Sequence, residues 1–92
     1  MSRPKLRRFT QFHPQVVYFK PQGIPMRFLD EVVLLPEELE AIKLHDIDGL
    51  DQIVAAACMG ISQPSFARDL ETAHQKIASA IILGKAIRIE IY

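Results

Sequence analysis

Leu50-Asp51-Gln52-Ile53-Val54-Ala55-Ala56-Ala57-Cys58-Met59-Gly60-Ile61-Ser62-Gln63-Pro64-Ser65-Phe66-Ala67-Arg68-Asp69-Leu70 is the stretch whose reading decides the fold. It meets the requirements of a helix-turn-helix at consistent spacing. Small residues are needed where two helices cross, and Ala55 to Ala57 supply them. The sharp turn needs a residue that accepts left-handed backbone, which Gly60 does at no steric cost. Ile61 then plugs the corner. Ser62 is a good N-cap, Gln63 and Ser65 follow as outward-facing polar side chains, and Phe66 and Leu70 lock the helix to its domain. The same spacing is open to two other readings: a helical hairpin that binds nothing, and a protein–protein module.

Upstream, Pro36 suits the first turn of a helix, and Glu37, Glu38 and Glu40 suit its positive end. Leu39 and Ile42, with Leu44 or Ile47, supply its buried stripe, and Asp48-Gly49 ends it. A second helix is expected from about Asp51, with Ile53, Val54, Ala57 and Cys58 on its apolar side. The third is the longest. Phe66, Leu70, Ala73, Ile77, Ala80 and Ile81 recur every three or four residues, and Gly84 terminates it.

The ends read differently. Val16 to Lys20 is a short β-favouring run stopped by Pro21-Gln22-Gly23. Met26 to Leu35 is ambiguous between a helical turn and a strand. Ala86 to Tyr92 alternates, with Ile87, Ile89 and Ile91 on one face and Arg88 and Glu90 on the other, which predicts a half-buried strand. Its partner is expected to be Val16 to Lys20 or the same strand of a second subunit. The fold class expected is therefore mainly α: a helix-turn-helix domain of three or four helices over residues 16–92, with short terminal β-strands and a basic extended arm over residues 1–15.

Net charge is zero, but its distribution is uneven. Residues 1–27 carry six basic side chains and no acid, residues 28–51 carry eight acids against Lys43 alone, and the remainder carries four basic residues and three acids. Local sums of +6, −7 and +1 permit a phosphate-facing surface without a high isoelectric point. The plainer reading is a basic tail beside a solvated acidic helix. The single cysteine, Cys58, cannot form an internal disulfide and reads as core, which fits a cytoplasmic location. No apolar run is long enough to cross a membrane. His13, His45 and His74 are too scattered for a metal site, no cofactor motif is present, and no phosphate loop or nucleophile elbow points to catalysis. Asp46, Asp48 and Asp51 around Gly49 lack the full spacing of a calcium loop and read as an interhelical turn.

Several segments together resemble a known family. They are Tyr18-Phe19-Lys20-Pro21-Gln22-Gly23-Ile24-Pro25, Glu31-Val32-Val33-Leu34, Glu37-Glu38-Leu39-Glu40-Ala41-Ile42-Lys43-Leu44, Gly60-Ile61-Ser62 with Phe66 and Arg68, and Gly84-Lys85-Ala86-Ile87-Arg88-Ile89-Glu90. The chain is similar to a small prokaryotic family of uncharacterised, predicted DNA-binding proteins, whose helix-turn-helix resembles region four of primary bacterial sigma factors. The resemblance covers nearly the whole chain and implies DNA binding in transcriptional regulation. It also exposes two departures. Leu6 stands where relatives commonly have cysteine after Arg-Pro-Lys, and Asp69 stands where they usually have an apolar residue. An acid at position 69 would repel phosphate if exposed, or need a partner such as Arg68, His74 or a neighbouring chain if buried.

The residues expected to contact double-stranded DNA follow from these readings. Gln63, Ser65 and Arg68 would face the major groove, where glutamine matches adenine and arginine matches guanine. Gln52 and Ser62 would hold phosphates. Arg3, Lys5, Arg7 and Arg8 would lie along the backbone or enter the minor groove, and His74 and Lys76 are further phosphate candidates. A homodimer is expected, because one short recognition helix buries little surface. Its expected contact surface is the long third helix with the Ile87-Ile89-Ile91 strand. The alternative partner is RNA polymerase or a sigma factor, contacted as protein.

Overall fold

The computed structural model describes residues 8–91. In chain order these form strand β1 (Tyr18–Phe19), a 3₁₀ turn (Met26–Phe28), strand β2 (Glu31–Leu34) and helix α1 (Pro36–Ile42). A π-turn (Lys43–Ile47), helix α2 (Gln52–Met59), helix α3 (Gln63–Leu83) and strand β3 (Ala86–Ile89) follow. The protein is mainly helical with one small sheet, as expected.

Two core clusters meet along α3. Ala41, Leu44, Ala55, Ala56, Met59, Phe66 and Leu70 form the first, among α1, the π-turn, α2 and the first half of α3. Leu34, Ala73 and Ile89 form the second, with Leu39, Ile77 and Ile87 packed against it. Ile42 touches both clusters, so the two halves of the domain are mechanically joined.

The sheet order is β1-β3-β2. Strand β3 pairs antiparallel with β1, the first of its two expected partners, with Tyr18 opposite Arg88. It also pairs parallel with β2, with Leu34 opposite Ile89. This second partner was hidden in the ambiguous Met26–Leu35 segment, because a parallel pair is made by the fold and leaves no local signature. Ile89 is buried as expected, whereas Ile91 is exposed beyond the end of the strand.

The helix ends are built from the residues that predict them. Asp51 caps α2, its carboxylate accepting from the Val54 N–H at 2.9 Å. Gly60 sits at φ +69, which brings the Gly60 N–H to the Ala57 carbonyl and the Ile61 N–H to the Ala56 carbonyl, both at 3.1 Å. This Schellman arrangement closes α2 and drives Ile61 against the core. Ser62 caps α3, its hydroxyl accepting from the Ser65 N–H at 3.2 Å.

Four expectations about burial need correction. The buried face of α2 is Ala55, Ala56 and Met59, while Ile53, Val54, Ala57 and Cys58 are exposed. From Ile53 to Met59 the helix is apolar all round, so periodicity could not choose a face; close packing selected the side carrying the smaller alanines. Ile81, expected on the buried face of α3, lies past the end of the core and is exposed, as Ile47 is in the π-turn. Cys58 is not core. Nor is α1 a solvated acidic helix: Glu37, Glu38 and Glu40 are buried.

Those acids bind the chain together. Glu40 Oε1 accepts from the backbone N–H groups of Gln11 and Phe12, at 3.0 and 2.9 Å. Glu38 Oε1 accepts from the Leu35 N–H at the start of its own helix and from Lys76 Nζ of α3, 2.7 Å away. Lys76 Nζ also donates to the Val33 carbonyl, so one ammonium joins α3, α1 and β2. No helix among the described residues is long and apolar enough to cross a membrane.

Candidate functional site

The expected site residues gather where α2 and α3 begin. Gln52 and Gln63 are the first residues of the two helices, and the turn at Gly60–Ser62 brings their side chains together. Gln63 Nε2 donates to Gln52 Oε1 at 2.6 Å. Gln63 is exposed and Gln52 half-exposed because each is the first residue of its helix, ahead of the buried side chains of Ala55, Ala56 and Met59 on α2 and of Phe66 and Leu70 on α3.

Arg68 lies one helical turn beyond Pro64 on the same exposed side. Its guanidinium reaches back to the Ser65 hydroxyl at 3.4 Å. Ser65 itself departs from expectation: it is only 7% exposed and turned inward, with its hydroxyl oxygen 3.0 Å from the Ser62 hydroxyl that donates to it. Position 65 lies at the edge of the buried stripe, where the serine closes against the Ser62 cap through both its backbone N–H and its hydroxyl. Ser62 remains exposed as the cap. Ala67 lies one turn beyond Gln63 and is half-buried.

Asp69 has a partner that was not among those expected. Arg8 Nε donates to Asp69 Oδ2 at 2.8 Å, and Arg8 Nη2 lies 3.4 Å from Oδ1. Neither side chain is more than a fifth exposed. The Phe9 N–H donates to the Met59 carbonyl at 3.0 Å, and its ring lies across Gly60. Arg8 and Phe9 are thus strapped over the turn and the first half of α3, and Gln11 and Phe12 over α1. Arg8 is held by α3 rather than extended along an arm; Arg3, Lys5 and Arg7 lie outside the described residues.

The remaining charged candidates are engaged elsewhere. His74 Nε2 donates to Asp46 Oδ2 at 2.6 Å, and Lys76 is committed to Glu38 and Val33. The three aspartates around Gly49 diverge: Asp46 takes His74, Asp48 takes Lys43 Nζ, and Asp51 caps α2. Among the described residues no group of three or more histidine, cysteine or acidic side chains is placed to hold a metal ion. The hydrogen bond to Asp48 holds the Lys43 ammonium above its ordinary value of 10.5.

A small, mainly helical domain that offers two linked glutamines and an arginine at adjoining helix starts defines the class. The chain belongs to the family described as "Protein of unknown function DUF134", whose profile matches residues 1–91. A UPF0251 protein of Moorella thermoacetica is 53% identical over 90 residues, covering 98% of this chain and 60% of that one. One from Thermoanaerobacter pseudethanolicus is 50% identical over 90 residues, covering 98% of this chain and 76% of that one. A third, from Pelotomaculum thermopropionicum, is 52% identical over 86 residues, covering 94% and 64%. The chain therefore spans roughly three-fifths to three-quarters of the length of these relatives. No solved structure matches it.

Proposed function

We propose that the protein binds double-stranded DNA sequence-specifically through α2 and α3, as a helix-turn-helix of the kind found in region four of primary sigma factors, and acts in transcriptional regulation. The observation that carries this reading is the linked display of Gln52 and Gln63 at the starts of α2 and α3, either side of a left-handed glycine turn, with Arg68 exposed further along α3. Glutamine and arginine are the side chains that match adenine and guanine bidentately in the major groove. Ser65 buttresses Arg68, its hydroxyl accepting from the guanidinium at 3.4 Å. Arg3, Lys5 and Arg7 add basic charge close to Arg8 in the chain.

The reading includes a homodimer. Ile81, Ile82 and Leu83 expose successive apolar side chains at the end of α3, and Ile81 shares a shallow groove with Phe19 and Ile87. Pairing there would place two α3 helices in one particle, matching two half-sites on DNA.

One observation favours a second reading, contact with RNA polymerase or a sigma factor as protein. The outer face of α2 carries exposed Ile53, Val54 and Cys58. Fluorescence-anisotropy titration against genomic fragments at two salt concentrations, with sequencing of the bound fraction, separates the two. DNA binding predicts salt-sensitive affinity and an enriched, near-palindromic motif, both weakened by Gln63→Ala and Arg68→Ala. A folded protein that binds no fragment at low salt sinks it.

A further inference from the structure

We propose that Gln52 is a specificity-determining positioning residue: it orients the amide of Gln63 so that Gln63 reads adenine and rejects guanine. The inference rests on the DNA-binding reading and deepens it at one base pair. Its observation is the 2.6 Å bond from Gln63 Nε2 to Gln52 Oε1.

A glutamine amide alone can present either end to a base, because its oxygen and nitrogen interchange by a half-turn about the last side-chain torsion. It has two N–H donors and one accepting oxygen. Giving one N–H to Gln52 fixes which end is nitrogen. One N–H and Oε1 then remain, and these match adenine, whose N7 accepts and whose N6 donates. Guanine presents two acceptors, N7 and O6, along the same edge, so the fixed Oε1 would meet O6 oxygen to oxygen.

Gln52 is in turn oriented by what lies beyond it. Its Oε1 is taken by Gln63, so Nε2 is the end left for another partner. A phosphate oxygen only accepts, so it can engage only that Nε2. The phosphate contact and the Gln63 contact therefore require the same orientation of the Gln52 amide. The backbone's acceptor character passes through two side-chain amides and emerges at the base as a donor–acceptor pair. Neither glutamine is buried, so truncating either removes this chain of polarity without opening the core.

The test starts from the motif that the wild-type protein selects. The base pair facing Gln63 is the one whose preference disappears in Gln63→Ala. Dissociation constants are then measured by anisotropy for duplexes carrying each of the four base pairs there, and one carrying 7-deazaadenine, which lacks the N7 acceptor. Wild type is expected to favour adenine over guanine by about five- to a hundred-fold and to lose much of that on 7-deazaadenine. Gln52→Ala is expected to bring adenine and guanine within about twofold of each other, with no further loss in the double variant. Unchanged thermal unfolding shows that each variant is folded. A preference other than adenine, or a Gln52→Ala loss shared equally by all four duplexes, overturns the inference while DNA binding stands. A wild-type protein that binds no duplex at low salt overturns both.

Discussion

Arg8 and Asp69 meet at 2.8 Å across 61 residues of chain, and their ion pair straps the segment before β1 onto the first half of α3. It places an acid on the helix that the proposed function lays against phosphate, and neutralises that acid with a basic side chain from the same molecule. Asp69→Asn removes the charge and releases Arg8 from it. Under the DNA-binding reading the variant should bind more tightly, and its log K against log salt should steepen by about one. Titrations at several salt concentrations test this, and an unchanged slope would show that Arg8 stays away from phosphate.

Gly60 carries two constraints at once. Its φ of +69 is the left-handed conformation, and a Cβ there would lie 2.9 Å from Cε2 of Phe9. Gly60→Ala should cost about 1–2 kcal/mol from backbone alone. The exposed Phe9 ring can swing aside at little further cost. Urea denaturation measures the loss, and a variant as stable as wild type would contradict the left-handed turn.

The buried carboxylate of Glu38 depends on Lys76. Lys76→Met leaves Glu38 with only the Leu35 N–H and strips the Val33 carbonyl of a donor, so it should destabilise by about 1–3 kcal/mol. In the Glu38→Gln background the carboxylate charge is gone and the same lysine substitution should cost clearly less. Chemical denaturation of the four-member cycle checks this, and additive losses would argue against direct coupling.

Tyr18 joins the two edge strands of the sheet, its hydroxyl donating to Glu31 Oε2 at 2.9 Å. Partial burial and that hydrogen bond push its ionisation above the ordinary 10.0. A raised folded-state value means a contribution that is complete below the unfolded value and lost as pH rises through the folded one. Stability should therefore decline above pH 10.0 more steeply in wild type than in Tyr18→Phe. Lys43 shifts in the same direction, so the difference between the two proteins is the quantity to measure. Identical alkaline profiles would remove Tyr18 from the account.

Ile82 is 79% exposed between Ile81 and Leu83, so nothing in the isolated chain needs it to be apolar. Ile82→Glu should leave thermal unfolding of the monomer unchanged and shift sedimentation from dimer to monomer. A wild-type chain that sediments as a monomer at all accessible concentrations would end the dimer proposal.

Local chemistry alone places the helix boundaries. Asp51, Gly60, Ser62 and Gly84 act on hydrogen bonds within a few residues of themselves, and such short-range demands are written directly in residue type and spacing. The proximity of Gln52 and Gln63 is legible for the same reason, since a short turn between two capped helices leaves little freedom. What only the tertiary structure decided lies over longer ranges. The apolar circumference of α2 offered no face until α1 and α3 packed against Ala55 and Ala56. Strand β2 became a strand only when β3 came alongside. Asp69 found its partner in Arg8, and Glu38 found its own in Lys76, because burial of a charge is settled by whichever opposite charge the fold delivers to it. Sequence determines what each residue must satisfy, and the three-dimensional packing determines which distant residue satisfies it.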